Sequence, residues 1–372
     1  MWPHMHELHP LDLRKWLVHS QKTLSHAAAI SQNKHLIRAA SRYHMTSSVL
    51  VGDVGATNAR FALVSNGNLN AISSFEVAKF GQFADVLAIF LKEHCRQTQI
   101  HQALLAIAGP VIDERVPLTN SSWVIDAREL QTSFGLQVRI LNDFEAVALS
   151  LPSLTSTDLA QIGGGRPEAG APMAVLGPGS GLGVACLIDH SERRVVIASE
   201  GGHATLAPIC EQEDHIVNQL RKRFGHVSAE RAISGSGLEN IYQAFAALEG
   251  LEIPPLSATE ITKNALSGEC QLARRSLYAF CAFLGSFAGN VALTFGARGG
   301  VYVAGGISPR ILDFLIQSEF RNRFEAKGRF RGYLEAIPSY VITHPATALI
   351  GLKSLVEATA QATTSRSWTI HV

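Results

Sequence analysis

Val49-Leu-Val-Gly-Asp-Val-Gly-Ala-Thr-Asn-Ala-Arg60 is an apolar, β-branched run, a turn of small residues and a second apolar run. Ala174-Val-Leu-Gly-Pro-Gly-Ser-Gly-Leu-Gly-Val-Ala185 repeats the plan. Such a turn lets backbone N–H groups converge on an anion with no Cβ in the way. Two of them facing each other can hold the phosphates of one nucleotide between two lobes. A third strand, Val301-Tyr-Val-Ala-Gly-Gly306, ends in Gly305 and Gly306, where the rest of a nucleotide has room. The pattern is that of a two-lobed ATP enzyme.

Other glycine-loop readings fail on detail. A P-loop needs Gly-Lys-Ser/Thr, and the chain contains no Gly-Lys dipeptide. The dinucleotide fingerprint needs a third glycine where Leu182 stands, and a helix where an apolar strand follows. The phosphates are therefore expected on β-hairpin turns.

Outward from the turns the grammar is regular. Residues 49–52, 60–65 and 71–77 predict a β-meander, with Asn66-Gly67 as a hairpin turn. Phe80, Phe83, Val86, Leu87, Phe90 and Leu91 follow at helical spacing. Residues 103–108 and 138–141 read as buried strands, the second running into Asn142-Asp143 and a helix over 144–151. Residues 152–172, rich in Pro, Gly, Ser and Thr, read as a linker. Residues 174–176, 183–189 and 194–198 restart the meander, with a turn at 189–192, and 210–295 are mostly helical in pattern. Ser308-Pro309 is expected to open a helix with Ser308 as N-cap and Pro309 at its first position. The repeated unit predicts an α/β fold of two lobes related by duplication, with a cleft between them.

Length and composition agree. The 372 residues have room for two cores, with 47% hydrophobic and 17% charged residues. No apolar run reaches the roughly 20 residues of a membrane span by this reading, so no membrane partner is expected. Residues 1–45 hold six Lys/Arg against two Asp/Glu, while the body is nearly neutral and has no basic stripe, which argues against a nucleic-acid surface. The five cysteines are scattered without a C-x-x-C pair, so reduced thiols in a cytoplasmic protein are expected. Seven of the fifteen histidines lie in the first 44 residues, at spacings that build no metal site. Residues 1–44 read as a disordered or non-native extension; a transit peptide would share their basic, acid-poor bias, but Pro3, Glu7, Pro10 and Asp12 interrupt it. Residues 45–150 with 345–372 are expected to form a small α/β lobe, and 151–344 a large one.

The first turn, Gly52-Asp53-Val54-Gly55-Ala56-Thr57-Asn58, places an acid between strand and glycines. Asp53 there can hold Mg²⁺ beside phosphates, directly or through water, and Thr57 and Asn58 can donate to phosphate oxygens. The second turn offers Gly177, Gly179, Ser180 and Gly181. Asp143, at a strand's carboxyl end, reads either as a helix cap or as a general base accepting a hydroxyl proton. Glu200-Gly-Gly-His203 brings a bidentate acceptor and a ring nitrogen close to a ligand, and Glu230 reads as a ligand or a first-turn acid. Asn120, Asn142, Asp143, Glu200, His203 and Glu230 together are the short polar side chains a polyol needs.

These motifs, with Leu118-Thr-Asn120 and Trp123, Asn142-Asp-Phe144, His226-Val-Ser-Ala-Glu-Arg231 and Ala304-Gly-Gly306, resemble the bacterial-type glucokinase family over about residues 46–357. That family belongs to the hexokinase/actin/Hsp70 superfamily. The resemblance implies the duplicated RNase H-like fold, Asp143 as catalytic base, and Asn142, Glu200, His203 and Glu230 as glucose ligands. It also implies phosphate turns at 52–58 and 177–183, ATP and Mg²⁺ as cofactors, and D-glucose as the acceptor; a homodimer is the expected assembly. Ala56 replaces a frequent Gly and Ser180 a frequent Thr, both mild departures. Only Cys210 follows the Gly-His pair, unlike the cysteine-rich zinc motif of the related repressor/ORF/kinase group. A kinase for mannose or another hexose, or a sugar-sensing regulator on the same fold, are the competing readings.

Overall fold

The computed structural model describes residues 48–366, except 96–99, 110, 112–113, 119–120 and 191–192. The expectation for residues 1–44 lies outside the described residues, as does part of the expected 189–192 turn.

β1 (Val49–Val54), β2 (Asn58–Ser65) and β3 (Asn68–Glu76) form the expected meander, extended in parallel by β4 (Gln102–Ile107) beside β1. A two-stranded ribbon, β5 (Arg115–Pro117) and β6 (Val124–Asp126), precedes β7 (Gln137–Asn142), which completes the sheet beside β4. Asn66 (φ 51°) and Gly67 (φ 71°) close the β2–β3 hairpin with two positive φ angles, the backbone a two-residue turn needs to follow strand twist.

The second sheet repeats this order. β9 (Met173–Pro178), β10 (Leu182–His190) and β11 (Arg193–Ser199) are antiparallel, and β12 (Val301–Val303) and β13 (Ser339–Ile342) follow in parallel on the far side of β9. The orders β3-β2-β1-β4-β7 and β11-β10-β9-β12-β13 correspond strand for strand. An extra edge strand, β8 (Leu159–Gly163), pairs antiparallel with β13. It corrects the linker expected at 152–172: Leu159 and Ile162 pack against clusters on opposite faces of the sheet, while the Gly and Pro residues mark its ends.

Helices cover both sheets. On the first, α1 (Phe83–His94) buries Phe83, Val86, Leu87 and Phe90 against Phe61, Leu105 and Trp123, and α2 (Ala127–Phe134) is capped by Asp126 and ends at the left-handed Gly135. α3 (Asp143–Ser150) follows β7 directly. On the second sheet lie α4 (Glu211–Phe224), α5 (Gly235–Leu248), α6 (Ala258–Ser267) and the 25-residue α7 (Gln271–Phe295). α7 corrects the expectation that no apolar run reaches membrane length. Residues 276–295 carry no charge, yet 78% of its most apolar window is buried inside the protein. It is largely apolar because most of its surface lies in the largest core.

The short helices α8 (Leu312–Gln317), α9 (Phe320–Glu325) and α10 (Arg331–Ala336) lead to β13. Before them, Ser308 is not an N-cap: Ile307 already has helical angles, Ser308–Ile311 is a 3₁₀ turn, and the Ser308 side chain is buried. Finally α11 (Thr347–Arg366) returns to the first sheet, where Ala348, Leu349 and Leu352 pack with Val51, Ala62 and Leu141. α3 lies between the sheets: Ala146 and Leu149 face the first and Ala148 the second. Its N-terminus is where the two halves meet.

Candidate active site

Strand parity places Asp53. Leu50 and Val54 point into the cluster under α1, so Val51 and Asp53 point to the other face, toward α3. Asp53 pairs across the ladder with Arg60, whose Nη1 donates to Asp53 Oδ2 at 3.4 Å. Burial pushes the Asp53 pKa up, and the Arg60 guanidinium pulls it back only in part. Gly52 lies inside β1, where a Cβ would come within 2.8 Å of Leu105 and 3.0 Å of Phe61. The turn proper is Gly55, Ala56 and Thr57, closed by the Gly55 N–H donating to the Asn58 carbonyl at 3.0 Å. Ala56 keeps a negative φ, so its Cβ costs nothing there.

Asn142, not Asp143, caps α3. Its Oδ1 accepts from Phe144 N at 2.9 Å and Glu145 N at 3.2 Å, and its Nδ2 donates to the Gly109 carbonyl at 3.0 Å. That leaves Asp143 at the first helical position, with Oδ1 accepting from Phe144 N at 2.9 Å. Its pKa is pushed up to about 7, first by burial and then by the negative charge of Asp53, with a smaller contribution from Glu200. Carboxylates from β1 and from just after β11 thus both raise the pKa of the one on α3.

The second turn is shaped by what leans on it. The Gly179 N–H donates to the Gly181 carbonyl at 2.8 Å, the Gly235 N–H donates to the Gly179 carbonyl at 2.9 Å, and the Leu182 N–H donates to Glu230 Oε2 at 3.0 Å. Ser180 is exposed at the tip. Gly177 and Gly183 flank the Phe144 ring, and a Cβ on either would come within 2.7 and 1.9 Å of it. Gly305 presses on the turn, 2.3 Å from the Pro178 carbonyl to its would-be Cβ, whereas Gly306 faces open space.

Glu200 and His203 bracket a 3₁₀ turn, Gly201–His203, with Glu200 Oε2 and His203 Nε2 3.9 Å apart and both side chains more than half exposed. Gly202 allows this turn to lie against the Leu182 carbonyl, 2.0 Å from where its Cβ would be. Backbone bonds from Leu206 N to Val227 O and Ala229 N to Ala204 O bring the Glu230 segment alongside. Asn120 lies outside the described residues. Glu230 therefore reaches the site through Leu182, with one carboxylate oxygen on the backbone of the turn.

Sequence reasoning missed three contributors. Arg60 was visible only as the end of a motif; its position opposite Asp53 depends on hairpin register. Ser234 caps α5 through Gly237 N, 2.9 Å, and sets the helix start against Gly179; the Ser-Gly-Ser-Gly run was the available signal. Phe144 gave no signal beyond its place after Asn-Asp. A cavity of about 80 Å³ lies beside Ile307 and Arg310, walled by Leu238, Ala258, Thr259 and Thr262.

The family profile described as Glucokinase matches residues 50–359. A curated glucokinase of Paramagnetospirillum magneticum is 45% identical over 315 residues, covering 84% of this chain and 98% of the relative. The crystal structure of a glucokinase from an Antarctic psychrotroph superposes with a TM-score of 0.74 at 35% identity, over 84% of this chain and 99% of that one. A ROK-family glucokinase from Streptomyces griseus, solved with glucose and AMPPNP, shares the fold at 18% identity and a TM-score of 0.58, over 83% and 99% of the chains. The chain belongs to the glucokinase family of ATP-dependent sugar kinases, on the two-lobed hexokinase-like fold.

Proposed function

We propose that this chain transfers the γ-phosphoryl group of ATP to the 6-hydroxyl of D-glucose. The observation that carries the reading is Asp143: a carboxylate freed from capping by Asn142, pushed up to about 7, and set at the seam of the two halves beside both glycine turns. A base of that pKa accepts a hydroxyl proton at neutral pH with little driving force lost, which is worth roughly 10²–10⁴-fold. Phosphoryl transfer needs little more chemistry than this; the remainder is positioning and charge balance.

The turns at 55–58 and 179–181 supply N–H groups for the phosphates, and the cavity beside Ile307 suits a flat heteroaromatic base. Glu200, His203 and Glu230 are assigned to sugar hydroxyls, with Asn142 and Asn120 beside them. No cluster of three or more metal-ligating side chains occurs among the described residues, so a cation here is not caged by protein. Asp53 fits Mg²⁺ held mainly by substrate phosphates: its carboxylate is one-fifth exposed, and only a 3.4 Å contact to Arg60 offsets its burial. Mg²⁺ bound there would neutralise phosphate charge and lower the Asp143 pKa. A cytoplasmic homodimer is part of the same reading. Steady-state kcat/KM on a hexose panel tests it; glucose should lead mannose and fructose, and a panel led by another hexose overturns the substrate assignment.

A further inference from the structure

A second cavity, of about 320 Å³, opens on the other flank of α5 and shares no wall with the one beside Ile307. Arg223, Phe224, Arg231, Asn240 and Gln243 line it. The Arg223 and Arg231 guanidiniums lie 4.7 and 4.1 Å from the centre of the same Phe224 ring, so they stand within about 9 Å of each other. Neither has a carboxylate within 4.0 Å among the described residues. The one acid on the wall, Glu239, is engaged with the Ala258 N–H at 2.9 Å. Asn240, only 6% exposed, fixes both arginine segments: its Oδ1 accepts from Arg223 Nη1 at 2.8 Å, and its Nδ2 donates to the Arg231 carbonyl at 2.9 Å. Two like charges are thus held together by a buried amide and an aromatic ring, with donors left over and no counter-ion among the described residues.

We propose that this cavity binds a phosphate group, free or as a small ester, at a site separate from catalysis. Two guanidinium forks match phosphate oxygens bidentately, which a point charge would not do. The volume left beyond one phosphate, bounded by Phe224, Ile253 and Leu256, suits the body of an ester. The site is wired to the reaction. Arg231 follows Glu230, whose carboxylate holds the Leu182 N–H of the second turn, and Ser236, on the cavity wall, lies one residue from Gly235, bonded to Gly179.

Calorimetric titration of the full chain with inorganic phosphate and with phenyl phosphate tests this, with glucose and AMPPNP–Mg²⁺ at saturation so that the catalytic turns are occupied. One saturable site per chain is expected, weakening as salt is raised. Arg223→Gln and Arg231→Gln should each weaken it roughly tenfold, and the double variant should abolish it. Both side chains are exposed, so the variants should stay folded, which a thermal scan verifies. Tighter phenyl phosphate assigns the site to esters, and equal affinity to free phosphate. No saturable binding to the parent, or unchanged binding to the folded double variant, overturns the proposal whatever the hexose specificity proves to be.

Discussion

The role proposed for Asp143 rests on a carboxylate that is costly to the fold. Its pKa in the folded chain, about 7 against an ordinary 3.8, means that the protein binds this proton more tightly than the unfolded chain does. The stability it lends is full below about pH 4 and is lost as pH rises through 7. Asp143→Asn should therefore melt higher than the parent at pH 8 and lose that advantage near pH 4, as thermal scans at the two pH values would show. The same change should lower kcat at least ~10²-fold with glucose affinity largely kept. In the parent, kcat/KM should climb with pH along a limb centred near 7, since only the ionised form accepts the proton, and Asp143→Asn should flatten that limb. Glu200→Gln replaces a charged acceptor with a neutral amide, costing ~1.5–3 kcal/mol, or about 10- to 100-fold in glucose KM, with the ATP KM nearly unmoved. A raised ATP KM at constant glucose KM would move Glu200 to the nucleotide.

The elements hold Asp143 by contact between the two halves. α3 starts at Asn142 on the first sheet, yet Phe144, one residue after Asp143, is clasped by Gly177 and Gly183 on the second. Gly183→Ala should overpack this slot, costing ~1–3 kcal/mol of stability, and lower kcat because Asp143 moves with the ring. Gly179→Ala, whose Cβ would meet nothing within 4 Å, should leave melting unchanged. Equal melting temperatures for the two variants would remove Phe144 from this role. Both meanders, the Asn66-Gly67 hairpin and the strand–turn–helix around Asp143 were legible because they are local: β-branched runs, positive-φ residues and a short polar cap lie next to what they determine. β8 was not, because it depends on a partner strand far along the chain. Phe144 and Arg60 stayed hidden for the same reason, since their neighbours are chosen by sheet register and helix packing. The packing of Gly52 against Leu105 was also hidden, because a glycine that makes room for a side chain looks in sequence like one that makes room for a ligand.

At the scale of the molecule, two sheets of one strand order share α3, and the residues assigned to the reaction sit along that joint. The family match begins at residue 50, and β1 begins at Val49. Translation from Met45 should accordingly give a protein with the kinetics and melting temperature of the full chain; a large drop in either would place the first 44 residues within the folded body. The residue proposed as base thus comes from one half and the second proposed phosphate turn from the other. The most direct test is ADP release measured together with product identity, on glucose and on 6-deoxyglucose. The account predicts one ADP and one glucose 6-phosphate per turnover with glucose, and only background ADP release with 6-deoxyglucose. Comparable ADP release with 6-deoxyglucose, or a product phosphorylated at another hydroxyl, would contradict it.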